Sequence, residues 1–222
     1  MNHIKTVLSK LRKRLNKYYN YIIKTPKYKE FGKFWVQITE TERVASRFNF
    51  FKEYCSGKTV LHFGCTDWPI FKPESNLHIK LSKHTKVLHG FDIDKEGIEN
   101  LKKFVDEDYF TSYSEIPQIK YDICLIPETI EHVDNVKDFL VNISKINAKC
   151  FLITAPNCFS KEHINRNFYG EDVFVEVVHP DHNCWYSPFT LKNQIEKYSS
   201  LKVIKTYLLE GDKMVCCEAI KK

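Results

Sequence analysis

Glu128, Glu131 and His132 follow the apolar run at 121–126 (YDICLI) within six residues. If the chain turns helical after Pro127, these three occupy positions i, i+3 and i+4 and share one face. Two carboxylates and an imidazole suit a hard or borderline divalent ion. A fourth ligand is at hand in His179-Pro180-Asp181-His182, a polar run with neither helical nor strand periodicity. The same residues also suit metal-free general-base chemistry, in which His132 or His182 takes a proton and Glu131 is its partner. A plainer role is open as well, with His132 capping or orienting its loop.

The second group is built on residues 58–65 (KTVLHFGC). Val60, Leu61 and Phe63 make a short apolar run that ends at Gly64, as a buried strand delivering a loop does. In open α/β sheets ligands bind beyond the carboxyl ends of the strands, where a small residue lets them approach main-chain N–H groups. Only one of the three glycines of a GxGxxG fingerprint is present, and Thr66 and Trp68 follow in the loop. Such bulk disfavours a pyrophosphate but accommodates a ligand without phosphates. Asp92 closes the next apolar run, 28 residues after Gly64, where a carboxylate can accept both hydroxyls of a ribose. Its plainer role is a strand-end acid, and Asp94 is the better N-cap for a helix from Lys95.

The elements that must position these residues alternate. Helical spacing covers 39–54, 76–84, 95–104 and a stretch from Asp134 or Asn135 to about 146; apolar runs cover 58–63, 86–92, 121–126 and 149–155, with a short strand at 109–113. Strand and helix at this spacing imply a parallel sheet covered on both faces. The end differs: runs at 201–209 and 214–220 flank Glu210-Gly211-Asp212-Lys213, a hairpin that brings in an antiparallel strand. Residues 157–186 interrupt the alternation with about 30 residues, including Phe159, Phe168, Tyr169, Phe174, Trp185 and Tyr186, which suit either stacking of a sugar or base or the small core of a lid. Asn165, Arg166 and Asn183 are its hydrogen-bonding residues. Ser187-Pro188 starts the helix 189–198.

At 222 residues, 43% hydrophobic, the chain is long enough for one large domain with an appendage. Its net charge of +6 is uneven: residues 1–29 hold nine Lys or Arg and no acid, leaving 25 basic against 28 acidic residues from 30 to 222. Residues 3–23 carry apolar residues at helical spacing among these lysines and arginines, and Thr25-Pro26 ends the pattern. Such a basic helix packs on its own domain or on a second subunit of a homodimer, lies on an anionic membrane surface, or meets a nucleic acid. We divide the chain into this helix and its irregular connection, 1–38, and a domain, 39–222. Eight cysteines include no CxxC pair, and Cys65, Cys124 and Cys150 fall in or beside apolar runs, which points to reduced thiols and a cytoplasmic protein.

VLHFGC, GFDID and YDICLIPETIEHV, in this order, resemble the first, second and fourth-strand motifs of the class I S-adenosylmethionine-dependent methyltransferases, over residues 58 to about 220. The resemblance implies a Rossmann-like α/β fold: a mostly parallel seven-stranded sheet with an antiparallel terminal hairpin and helices on both faces. It also implies S-adenosylmethionine held by Gly64, Cys65, Asp92, Ile93 and Glu128. More locally, ExxEH, a strand ending in APN, and then DH are similar to the metal-dependent small-RNA 2′-O-methyltransferases. That likeness implies Mg²⁺, Mn²⁺ or an iron ion on Glu128, Glu131, His132 and His182, although the Phe-x-Pro-Pro loop of those enzymes is missing. Many small-molecule and sugar methyltransferases share the EH and DH pattern. The expected activity is O-methylation of a sugar-containing small molecule or glycan, with His132, Glu131 and His182 as catalytic residues. RNA ribose methylation is the less favoured alternative, and an inactive methyltransferase-like binding module is the third.

Overall fold

The computed structural model describes residues 31–222. Contacts divide the chain into two units, Met1–Ile38 and Thr39–Lys222. Within the first, Gly32–Trp35 forms one short helical turn where the sequence predicts an irregular connection. The basic helix expected at 3–23 lies outside the described residues.

The second unit is an eight-stranded sheet in the order β1-β9-β10-β6-β5-β2-β3-β4. Its strands are β1 (Glu42–Val44), β2 (Thr59–Phe63), β3 (Val87–Phe91), β4 (Tyr109–Phe110), β5 (Tyr121–Ile126), β6 (Ala148–Pro156), β9 (Leu201–Leu209) and β10 (Met214–Lys221). Neighbours pair in parallel except β10, which is antiparallel to both β6 and β9. This is the expected mostly parallel sheet with a terminal hairpin, enlarged by one strand. The addition corrects the expectation of a helix from 39. Glu42, Arg43 and Val44 pair with Tyr207, Leu208 and Leu209, and the helix α1 (Arg47–Cys55) starts only after Ser46, whose side chain accepts from Asn49 N.

Burial on both faces follows from the period of two along each strand. On β5, Cys124 and Ile126 join one core with Leu61, Phe63, Leu140 and Ile195, while Ile123 and Leu125 join the other with Val60, Phe51 and Leu81. The first core lies under α4 (Val136–Lys145) and α6 (Pro188–Tyr198), the second under α1 and α2 (Leu77–Ser82). Cys216 and Cys217 point into opposite cores as small apolar side chains, and all eight cysteines are free thiols. Among the described residues no helix is long and apolar enough to cross a membrane.

The insertion is pinched where it leaves the sheet. Asn157 bridges Tyr186, and Cys158 N donates to Tyr186 O at 2.8 Å. Beyond the pinch lie α5 (Lys161–Arg166) and a hairpin of β7 (Phe168–Tyr169) and β8 (Phe174–Val175). Phe159, Phe168, Tyr169 and Phe174 stay 50–84% exposed, so they form no internal core, whereas Tyr186 is 1% exposed and belongs to the core of the domain.

Candidate active site

The loop after β2 is held from three sides. Gly64 has φ +63, a conformation costly for any residue with a Cβ, and a Cβ there would lie 2.6 Å from Thr129 Oγ1. Its N–H donates to Phe91 O (2.9 Å), locking the loop to the end of β3. Asp92 receives Thr66 N (3.2 Å) and Thr66 Oγ1 (2.9 Å) on one carboxylate oxygen and Asp94 N (3.1 Å) on the other. Asp94 caps α3 (Lys95–Leu101) through Gly97 N, and Gly97 lets that helix approach Thr66 and Trp68. From the other side Asn76, fully buried, caps α2 through Ile79 N and donates to Cys65 O (3.1 Å) and Asp67 Oδ2 (3.0 Å). Cys65 is 1% exposed, and its sulfur packs towards Gly90, so it can offer a ligand only its main chain. Ile93 is 82% exposed beside Asp92, an apolar surface next to a carboxylate.

Beyond β5 the expected helix does not form. Glu128 has φ +45, and Thr129 Oγ1 donates to Pro127 O. The carbonyls of Glu131 and His132 accept Asn183 N (2.8 Å) and Asn183 Nδ2 (2.9 Å) from the insertion instead of helical N–H groups. Glu128, Glu131 and His132 therefore share no face. Glu128 pairs with Arg47 at 3.0 Å, a residue the sequence did not single out because β1 had not been recognised. Glu131 is 1% exposed, and burial pushes its carboxyl up to about 8. Arg47 Nε, Glu128 Oε1 and Glu131 Oε2 are closed off from solvent without a hydrogen-bond partner among the described residues.

His132 instead meets the insertion. Its ring centroid lies 4.6 Å from His182 and 5.4 Å from His179. Burial, reinforced by the neighbouring imidazoles, lowers the affinity of His132 and His182 for protons, His182 to about 4. Both rings are thus neutral at pH 7. Of the expected set of Glu128, Glu131, His132 and His182, the structure brings His132 and His182 together with His179, while Glu128 is engaged by Arg47.

No family model and no curated protein matches the chain. Solved structures do. A SAM-dependent methyltransferase from Aquifex aeolicus superposes with a TM-score of 0.58 at 14% identity, covering 80% of this chain and 91% of its own. The fold is that of the class I S-adenosylmethionine-dependent methyltransferases. A TehB-like SAM-dependent methyltransferase from Corynebacterium glutamicum gives 0.52 at 14% identity over 78% and 85%. A chain of the Pnkp1/Rnl/Hen1 RNA repair complex gives 0.56 at 16% identity, covering 83% of this chain and 42% of that one. In a methyltransferase fold the Gly64 loop, Asp92 and the turn at Glu128 all lie at the carboxyl edge of the sheet, on β2, β3 and β5, where such a fold binds its ligands.

Proposed function

We propose that this protein transfers a methyl group from S-adenosylmethionine to a hydroxyl oxygen of a sugar-containing small molecule or glycan. The observation that carries the cofactor half is the set of unpartnered, solvent-excluded atoms Arg47 Nε and Glu128 Oε1 beside a glycine-turned loop. A guanidinium and a carboxylate side by side suit the carboxylate and ammonium of an amino acid. Asp92 supports the adenosine half. Of its ~four acceptor positions three are used, one by a displaceable threonine hydroxyl, which leaves room for a ribose hydroxyl. Ile93 offers the apolar face for the purine.

When bound, the cofactor supplies an electrophilic methyl group. The chain's residues must then align an acceptor oxygen with it and remove a proton, and alignment alone can be worth roughly 7–11 kcal/mol. His132 and His182 are neutral imidazoles able to accept that proton, and general-base transfer adds about 10²- to 10⁴-fold. His132 is the better placed of the two because it stays exposed. Glu131, whose carboxyl burial pushes up to about 8, is tuned towards working pH and can partner a histidine in moving that proton. Exposed Phe159, Phe168, Tyr169 and Phe174 give the acceptor stacking surfaces.

Calorimetric titration of S-adenosylmethionine into the full chain tests the reading. We expect micromolar binding that Asp92→Ala abolishes. No binding to a folded wild-type protein would leave the chain an inactive binding module. RNA ribose methylation is a second reading, supported by the nine basic residues in 1–29 and the similarity to a chain of an RNA repair complex. It requires salt-dependent RNA affinity that falls when 1–24 are deleted.

A further inference from the structure

His132, His179 and His182 place one ring nitrogen each within 4.8 Å of the others. Two of them stand on the insertion and one on the loop after β5. His182 N donates to His179 O (3.0 Å), so a single turn presents both insertion histidines, and the two Asn183 bonds fasten that turn to Glu131 and His132. His182 Nδ1 is closed off from solvent and has no hydrogen-bond partner among the described residues. We infer that these three imidazoles form a site for one borderline divalent transition-metal ion, of the Zn²⁺ and Co²⁺ class, that ties the insertion to the loop after β5.

The donor set decides the class of ion. Three nitrogen donors without a carboxylate are poor ligands for Mg²⁺ or Ca²⁺, which take oxygen, and good ones for Zn²⁺, Co²⁺, Ni²⁺ or Fe²⁺. A tetrahedral ion with bonds of about 2.0–2.1 Å holds its donors roughly 3.3 Å apart, so the rings need to close by about 1–1.5 Å. Rotation about the side-chain bonds of a half-exposed turn supplies that. Asp181 stands beside the cluster, its N–H donating to His179 Nδ1 (3.3 Å) and its Oδ2 3.8 Å from the same atom, so its carboxylate could orient that ring from outside the ligand set once that nitrogen carries a proton. Three protein ligands leave a fourth position open, as in sites that bind an exchangeable oxygen. With the ion bound, His132 and His182 would hold it rather than act as free bases, and the ion would lower the pKa of an acceptor hydroxyl at that position. Only that use rests on the methyl-transfer reading; binding of the ion does not.

The test uses the untagged full chain, stripped with chelator and dialysed. Co²⁺ is titrated with visible absorption as the readout, and Zn²⁺ and Mg²⁺ follow by equilibrium dialysis. We expect one Co²⁺ per chain with a tetrahedral-type spectrum, displaced by Zn²⁺ and not by excess Mg²⁺. Loss of an outer-shell partner typically costs 10- to 100-fold in metal affinity, so His132→Ala and His179→Ala, which remove ligands, should each cost more than about 100-fold. Glu128→Gln should leave the ion bound. His179→Cys keeps a ligand and should add a sulfur-to-cobalt charge-transfer band, a positive signal independent of any loss by misfolding. Undiminished binding in the alanine variants, Mg²⁺ binding removed by Glu128→Gln, or no stoichiometric Co²⁺ or Zn²⁺ binding would each overturn the inference. S-adenosylmethionine titrated into the same samples reports the cofactor site separately.

Discussion

His62 on β2 and His78 on α2 form a buried pair, and acid should open it. Their Nδ1 atoms are 3.1 Å apart, the rings stack at 5.2 Å, and neither residue exceeds 1% exposure. One ring donates and the other accepts, and burial keeps both neutral. Burial is the main cause, lowering His78 from 6.5 to about 3 and His62 well below 6.5, where the second ring and Arg47 add to it. Above pH 6.5 the neutral form is present in both folded and unfolded chains, and the pair adds no pH dependence. Below 6.5 the unfolded chain binds protons that the folded one refuses, so stability is lost as pH falls from 6.5 towards 3. At about 1.4 kcal/mol per pH unit, His78 alone removes roughly 2 kcal/mol by pH 5. Urea unfolding followed by tryptophan fluorescence at pH 7, 6 and 5 measures this against His78→Phe. That variant has a pH-independent offset from the stranded His62 nitrogen, about 1–3 kcal/mol. The two stability curves should nonetheless converge by about 2 kcal/mol between pH 7 and 5. Curves that stay parallel would refute the reasoning, whatever the offset.

Two further substitutions probe the Gly64 loop. Gly64→Ala should cost about 1–2 kcal/mol from its left-handed backbone alone, plus the clash with Thr129; adding Thr129→Ala should return only the clash, read as a partial recovery of the unfolding midpoint in urea. Asn76→Ser keeps a cap for α2 but drops the bonds to Cys65 and Asp67, whereas Asn76→Ala loses both. The alanine variant should be less stable by about 1 kcal/mol, while calorimetry should find S-adenosylmethionine binding weakened to a similar degree in the two.

Seven of the strands were legible, most as short apolar runs bounded by polar or turn residues, and 121–126 matches β5 residue for residue; β7 and β8 of the insertion, like β1, were not. Caps carried by the local sequence were legible in part: Asp94 and Ser187 each accept an N–H in the first turn of their helices, and Asn135 was one of two readings for its helix. What local sequence could not carry was pairing across the chain. Val44 sits opposite Leu209, 165 residues on, and nothing near Glu42–Val44 announces a strand of three residues. Missing β1 also hid Arg47, since a helix running from 39 leaves that arginine at an arbitrary point on its wheel. The metal set went astray for a related reason. Glu128, Glu131 and His132 share a face only if their carbonyls serve a helix, and those of Glu131 and His132 serve Asn183, over 50 residues away.

The same hydrogen bonds separate two tasks that the sequence had merged into one constellation. Turned away from His132, Glu128 stands with Arg47, and the pair faces the Gly64 loop, whose Asp67 also feels the Arg47 charge. His132, turned outward, stands with the insertion. On the proposed reading, the ionic pair of Arg47 and Glu128 would serve cofactor recognition and the histidine cluster acceptor chemistry, two groups linked through residues 128–132. Arg47→Met should therefore weaken S-adenosylmethionine binding while leaving the Co²⁺ spectrum of the histidine cluster intact, and His179→Ala should do the reverse. If either change moved both readouts together, the division of labour across this turn would be wrong, and the carboxylates and imidazoles would have to be treated again as a single site.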